Sequence, residues 1–315
     1  MLVYTVRRVV AIIPLLIAVA TVTFFLMHAV DGGPFDSDKP LSEATRKALD
    51  AKYGLDEPLH VQYMTYIKNL VRFDFGVSII TDRSVNDIIR ERMEVSIQLG
   101  IAAFVFATVF GLGLGLVSSL NQNGLFDYLG VFFATAGAAL PSFVLAPILT
   151  IAFAVKLHWF NVISSDFDLW QWFMLDFSNW RQMVLPTVAL GFLPMAYVAR
   201  ITRASMLEVL RQDYVRTARA KGLGERLVVF RHAMKNSMIP VLTILGPIFA
   251  GLITGSFIIE HAFVIPGLGQ EFVRSVLIRD YGVMMGVIVF YAGIIAAMNL
   301  FVDLMYAVAD PRIRY

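Results

Sequence analysis

Apolar residues gather into six long runs, 9–30, 95–120, 128–155, 183–206, 241–259 and 283–309, separated by polar segments. A helix rises about 1.5 Å per residue, so each run can cross a hydrocarbon core roughly 30 Å thick. No water is present there to satisfy peptide groups, so the runs are predicted to be helices. The predicted fold class is therefore all-α, a polytopic membrane protein with six transmembrane helices. The first run follows Arg7 and Arg8 and is longer than a signal-peptide core. No A-x-A site follows it, so it reads as a retained anchor helix.

The segment 31–94 is too long for a simple turn. Within 41–53, Leu41, Ala44, Ala48 and Leu49 recur at helical spacing, with Ser42 as N-cap and Gly54 as the stop. A second short helix is expected over 58–73. A third, over 85–93, leads into the second span. The segment reads as a small helical cap on the outer face, too short to form a substrate-binding lobe by itself.

Composition agrees with a bilayer as solvent. Of 315 residues, 58% are hydrophobic and only 16% charged, where a soluble domain has about a quarter charged. The chain has no cysteine, which excludes disulfides, thiol catalysis, Cys–zinc sites and iron–sulfur clusters. The net charge of +2 gives no sign of a nucleic-acid partner.

Charge also orients the spans. The segment 207–240 carries Arg211, Arg216, Arg219, Lys221, Arg226, Arg231 and Lys235, and both termini are basic, with Arg7, Arg8, Arg312 and Arg314. The loops after the third and fifth runs carry Asp166, Asp168 and Asp176, and Glu260, Glu271 and Asp280. Positive charge is retained inside, so both termini (310–315 at the far end) and 207–240 are expected in the cytoplasm, and 31–94 outside. The loop 121–127 must then be cytoplasmic although it has no Lys or Arg. All four tryptophans, Trp159, Trp170, Trp172 and Trp180, flank the third and fourth runs on the outer side, where amphipathic rings favour the headgroup level.

Few ionisable groups lie within the runs. Asp303 is expected to pair with Arg7 or Arg8. Arg200 and Arg203 sit near the end of the fourth run and can snorkel to the surface. His28 and Glu260 fall near the outer face. No chain of carboxylates suggests a proton relay, and no Ser/His or metal-ligand pair suggests an intramembrane enzyme. Gly111, Gly113 and Gly115 follow no strand and read as helix packing. No G-x-x-x-x-G-K-[ST] occurs.

The most informative stretch is DYVRTARAKGLGERLVVFRHAMKNSMIP, from Asp213 to Pro240. Asp213 to Lys221 is predicted to be a short basic helix. Gly222-Leu223-Gly224 is the turn, because glycine accepts positive φ at little cost. A second helix is expected from Glu225 to Asn236, with Pro240 opening the fifth span in its first turn. Such a hairpin can be gripped by another protein, or it can serve only topology and anionic lipid. Composition leaves both open.

This stretch resembles the "EAA" loop of binding-protein-dependent ABC importer permeases, with Thr217-Ala218 and Gly222 in the motif's places. Arg216, Thr217 and Lys235 depart from the general motif toward the peptide-importing branch. Tyr214 to Leu223, Arg231 to Ala233 and Ile239-Pro240 fit that branch. So do Tyr4 to Pro14, Tyr53-Gly54-Leu55, Leu140-Pro141-Ser142-Phe143, Ala199-Arg200-Ile201-Thr202-Arg203, Pro266-Gly267-Leu268-Gly269-Gln270 and Asp310 to Tyr315. The likeness spans the chain and is closest to the B-type membrane subunit of oligopeptide permeases.

The resemblance implies a non-catalytic permease subunit of an ATP-driven importer in a bacterial inner membrane. Its implied partners are a homologous second permease, two cytoplasmic ATPases that bind ATP and Mg, an extracytoplasmic solute-binding protein, membrane lipid and an oligopeptide substrate. Dipeptides, nickel or glutathione are the alternatives within the family, and an ion-coupled carrier or channel is the rival outside it. No cofactor is expected in this chain. The coupling segment would be Asp213, Tyr214, Arg216, Thr217, Ala218, Arg219, Ala220, Lys221, Gly222 and Leu223. Gly251, Thr254, Gly255 and Ser256 are expected to line the pore. Pro266, Gly267, Leu268 and Gly269 are expected at an outer gate or binding-protein contact.

Overall fold

The computed structural model describes residues 2–29, 43–163, 168 and 180–309. Trp170, Trp172, Asp166, Asp176, all of 30–42 with Leu41 and Ser42, and the segment 310–315 lie outside the described residues. The chain divides into two compact units, Met1–Val95 with Pro266–Tyr315, and Ser96–Ile265. Among the described residues, every regular element is helical.

In the first unit, α1 (Leu2–Ala29) packs along α12 (Tyr281–Ala309). Arg8 and Asp303 pair across them, as expected for charges at the same end of the first and last spans. The segment between the first two spans holds α2 (Glu43–Tyr53), stopped by Gly54 at φ 66°, and α3 (Leu59–Val71). α3 lies against α1, with the Thr21 and Tyr63 hydroxyls 2.7 Å apart and the Tyr66 ring stacked on Phe24 at 5.8 Å. The loop after α3 is fastened to the start of α12. Asp280, 2% exposed, accepts from the Ser78 hydroxyl at 2.5 Å and from the Ile79 N–H at 3.1 Å. α11 (Leu268–Leu277) leads into α12.

The third short helix expected over 85–93 is the first part of one uninterrupted helix, α4 (Val85–Leu120), which carries on into the second unit. There the third run does not form one continuous helix. The run divides into α5 (Leu125–Ala139) and α6 (Ser142–Lys156), bent by 112°. The cause is Pro141, whose ring disfavours helical geometry in the residue before it. Leu140 is accordingly extended, at φ −93° and ψ 112°. Among the described residues there are thus five helices long and apolar enough to cross a membrane, or six if the bent pair is one span.

α7 (Trp180–Val209) packs against α5, α6 and α9. It approaches α4 through glycines: a Cβ on Gly111 would lie 2.7 Å from Val198, and one on Gly115 2.5 Å from Thr202. Gly113 faces open space. The glycine run therefore brings backbones together, as its place inside an apolar span implies.

After α8 (Asp213–Ala220) comes α9 (Glu225–Ile253), which differs from expectation at both ends. It does not restart at Pro240. The short helix expected over Glu225 to Asn236 and the fifth span are one rod, with a π-wound turn over Val228–Ala233 and Pro240 in its interior. A proline there forfeits one backbone bond, which membrane helices tolerate where neighbours hold the rod. Ser205 of α7 supplies such a hold, donating to the Ser237 carbonyl at 2.9 Å. Nor does the span reach 259. It stops at Ile253, Gly255 turns the chain at φ 87°, and α10 (Phe257–Ala262) starts anew with the Ser256 hydroxyl accepting from the Ile259 N–H.

Candidate functional site

The segment between α7 and α9 folds as the hairpin its composition suggests. α8 is capped at its C-terminus by Lys221, and Gly222 follows at φ 79°. A Cβ there would meet nothing within 4 Å, so backbone conformation, not space, requires glycine. Val215 and Ala218 are buried against Val228, with Val209 and Leu223 beside them. Ala218 thus serves the seat and not the surface. Asp213, Tyr214, Arg216, Thr217, Arg219, Ala220, Lys221 and Gly222 are exposed, and Leu223 is half-buried.

The exposed charges are partly matched within the hairpin. Arg219 makes two hydrogen bonds to Glu225, at 3.1 and 2.7 Å, and that carboxylate raises the guanidinium above its usual value. Arg216 lies 3.7 Å from Asp213. Lys221 has no carboxylate partner among the described residues. Exposed pairs of this kind are worth at most about 1 kcal/mol, so an incoming acidic surface can exchange them at little cost. Tyr214 is held from behind, its hydroxyl accepting from Asn236 at 2.8 Å.

The hairpin is anchored to the spans. Met206 of α7 with Val229 and Ala233 of α9 form a buried cluster, joined by Leu116 of α4 and by Val209, Leu210 and Met234. Force on α8 passes through Val215 and Ala218 to the base of α9, and from there to α7 and α4.

The four pore candidates form one structural feature, the break after α9. Thr254 is buried and donates to the Gly251 carbonyl at 2.8 Å. A Cβ on Gly255 would lie 2.8 Å from Glu260 Oε1. Glu260, expected near the outer surface, is fully buried and accepts from the Ser256 N–H at 3.1 Å. Only Gly251 is exposed. In the loop expected at an outer gate, Gly267, Leu268 and Gly269 are buried and Pro266 half-buried, its carbonyl accepting from Arg92 at 3.3 Å.

One pair went unseen in the sequence. Arg203 is 28% exposed and paired. Its Nε and Nη2 donate to Asp127 at 2.6 and 2.8 Å, and Asp127 also accepts from the Ser118 hydroxyl and the Asn123 N–H. The available signal was an acidic residue just before the third run and an arginine near the end of the fourth. Among the described residues, no cluster of side chains could hold a metal ion.

Residues 93–315 match the family described as binding-protein-dependent transport system inner membrane component, and residues 1–100 match its N-terminal companion. The chain is 43% identical to the dipeptide transport system permease protein DppB of Bacillus subtilis, over 99% of this chain and 97% of that one. It is 41% identical to the oligopeptide transport system permease protein OppB of Salmonella typhimurium, over the full length of both. Among solved structures, a chain of an amino acid ABC transporter crystallised with histidines matches 70% of this chain and 93% of its own, at a TM-score of 0.53 and 15% identity, which is a likeness of fold. The chain belongs to the family of binding-protein-dependent transport system inner membrane components.

Proposed function

We propose that this chain is one of two homologous membrane subunits of an ATP-driven importer and passes oligopeptides, delivered by an extracytoplasmic binding protein, across the inner membrane. The carrying observation is full-length identity of 41–43% to permease proteins of oligopeptide and dipeptide transport systems. Dipeptides are the second reading, favoured by the relative from Bacillus subtilis. The segment 207–240 and both termini face the cytoplasm, and 31–94 faces outward.

Two cytoplasmic ATPases, binding ATP and Mg, each take hold of one such hairpin. Arg216, Arg219 and Lys221 meet acidic groups in the ATPase cleft, while Gly222 fixes the turn. The closed and open ATPase states contact α8 differently, and that difference is the coupling free energy. Because α8 is seated on the bases of α9 and α7, which pack in turn with Leu116 of α4, its displacement moves spans as rigid bodies. The break at Gly251, Thr254, Gly255 and Ser256 borders the passage, and Pro266 to Gly269 belong to the outer gate.

The test is reconstitution with the companion permease, ATPases and binding protein in proteoliposomes. ATP-dependent peptide uptake is expected. Gly222→Asp places a side chain at positive φ, a strain of about 1–2 kcal/mol, and should cut uptake about tenfold or more while the complex still assembles. Normal uptake by that variant would remove the hairpin from the coupling path. Ion-driven uptake by this chain alone would establish a carrier instead.

A further inference from the structure

The second unit contains an open groove of about 520 Å³ between α4, α5 and α7 that the transport reading does not use. Small residues from all three helices, Gly115, Gly130, Ala138 and Ala199 among them, leave the space, and Arg200 and Arg203 stand at one end. That volume is on the scale of small-molecule sites.

The charges there do not balance. Asp127 and Arg203 cancel in a two-bond pair. Arg200 has its guanidinium 5.5 Å from the Tyr197 ring centre and no carboxylate partner among the described residues. Arg200 is exposed on the helix surface, and a cation on the lipid-facing side of a span is costly unless it meets water or an anion. The groove is also graded in polarity. The Asp127–Arg203 pair marks the end next to the 121–124 turn. Ala138 lies eleven residues farther along α5, about 16 Å at helical rise, close to the depth of one leaflet, which is half of a roughly 30 Å core. The far end is lined by Ala138 and Ala139.

An anion at the interface with an apolar tail one leaflet long describes a phospholipid. A peptide would bring polar groups along its whole length to the alanine-lined end, and a helix from another subunit would answer Arg200 only by placing a carboxylate at that height. We infer that this groove is a phospholipid site, with the phosphate on Arg200 and one acyl chain along α5 toward Ala138. The spare charge is a single cation, so an anionic headgroup bearing a neutral alcohol fits better than one that adds an ammonium beside Arg200 and Arg203. The inference rests on membrane placement and is independent of the ATPases and of the peptide.

The experiment is native mass spectrometry of the assembled transporter, delipidated in detergent and titrated with phosphatidylglycerol or phosphatidylethanolamine. Wild type should retain phosphatidylglycerol in preference to phosphatidylethanolamine. Arg200→Gln should lower phosphatidylglycerol retention about fivefold, the worth of one interfacial cation, and Arg200→Lys should keep it. Ala138→Phe, which fills the groove, should exclude both lipids with the complex intact. The proposal is overturned if wild type retains neither lipid, or if both Arg200→Gln and Ala138→Phe bind as wild type does. It is also overturned if Ala138→Phe releases the second permease, since the groove is then a subunit seam, or if added peptide displaces the lipid, since it is then part of the peptide's path.

Discussion

Asp127 is 3% exposed and sits three residues into an apolar helix, where a lone carboxylate would be costly. Four donors meet it: two from Arg203, the Ser118 hydroxyl and the Asn123 N–H. Removing one member of such a pair leaves the other uncompensated, at about 3–5 kcal/mol when fully buried. Arg203 retains 28% side-chain exposure, so about 2–3 kcal/mol is the better expectation after allowing for solvent screening. Asp127→Asn should therefore lower the unfolding temperature of the purified subunit, and pairing Asp127→Leu with Arg203→Met should recover most of the loss. Unchanged unfolding in Asp127→Asn would show the pair to be dispensable. This site was illegible in the sequence because an arginine near a span's end has a cheap route to water, and nothing in a single sequence says that the third and fourth spans are neighbours. The Arg8–Asp303 pair was legible because both residues lie at the same end of two spans and few other partners existed.

Hydropathy locates the helices well and their breaks poorly. Apolar character continues through Leu140 and through Thr254, so the runs look unbroken where the backbone turns. What breaks them is conformational: the extended residue required before Pro141, and the positive φ at Gly255. Pro240 is the opposite error, a breaker by propensity that packing on α7 overrides. The Gly255 turn makes this testable. An alanine there combines an unfavourable φ with a Cβ 2.8 Å from Glu260 Oε1, so Gly255→Ala should destabilise the subunit by about 1–2 kcal/mol or more, read as a lower unfolding temperature. An unchanged temperature would mean that α9 and α10 can rejoin without that turn. The hairpin permits a cleaner separation of seat from surface. Val215→Ala removes two buried methyl-sized groups, about 1.6 kcal/mol by transfer alone, and touches no charge. It should weaken ATP-dependent uptake more than Arg216→Gln does, since Arg216 is exposed and its link to Asp213 is long. The reverse order would place coupling in the surface charge and not in the seat.

For the whole molecule, the decisive element is the bent pair α5–α6. If it crosses the bilayer, the described spans number six. If it re-enters and leaves on the same side, they number five. Charge separates the two. With six crossings, Arg7, Arg8 and the basic hairpin lie on the same side, because α1, α4, α5–α6 and α7 intervene. With five, only three crossings intervene, and one basic segment would have to sit outside, against the positive-inside bias. The natural absence of cysteine turns this into a direct measurement. Met64 on α3 is 66% exposed and Lys221 is exposed in the hairpin, so single Met64→Cys and Lys221→Cys variants offer one thiol each to a membrane-impermeant maleimide. Three crossings separate these positions if α5–α6 spans and two if it does not. The expected result is labelling of Met64→Cys in intact spheroplasts, and of Lys221→Cys only in inverted vesicles. Labelling of both from the same side would make α5–α6 re-entrant. Labelling from opposite sides in the reverse sense would keep six crossings and invert the chain, moving the α8 hairpin away from any cytoplasmic ATPase.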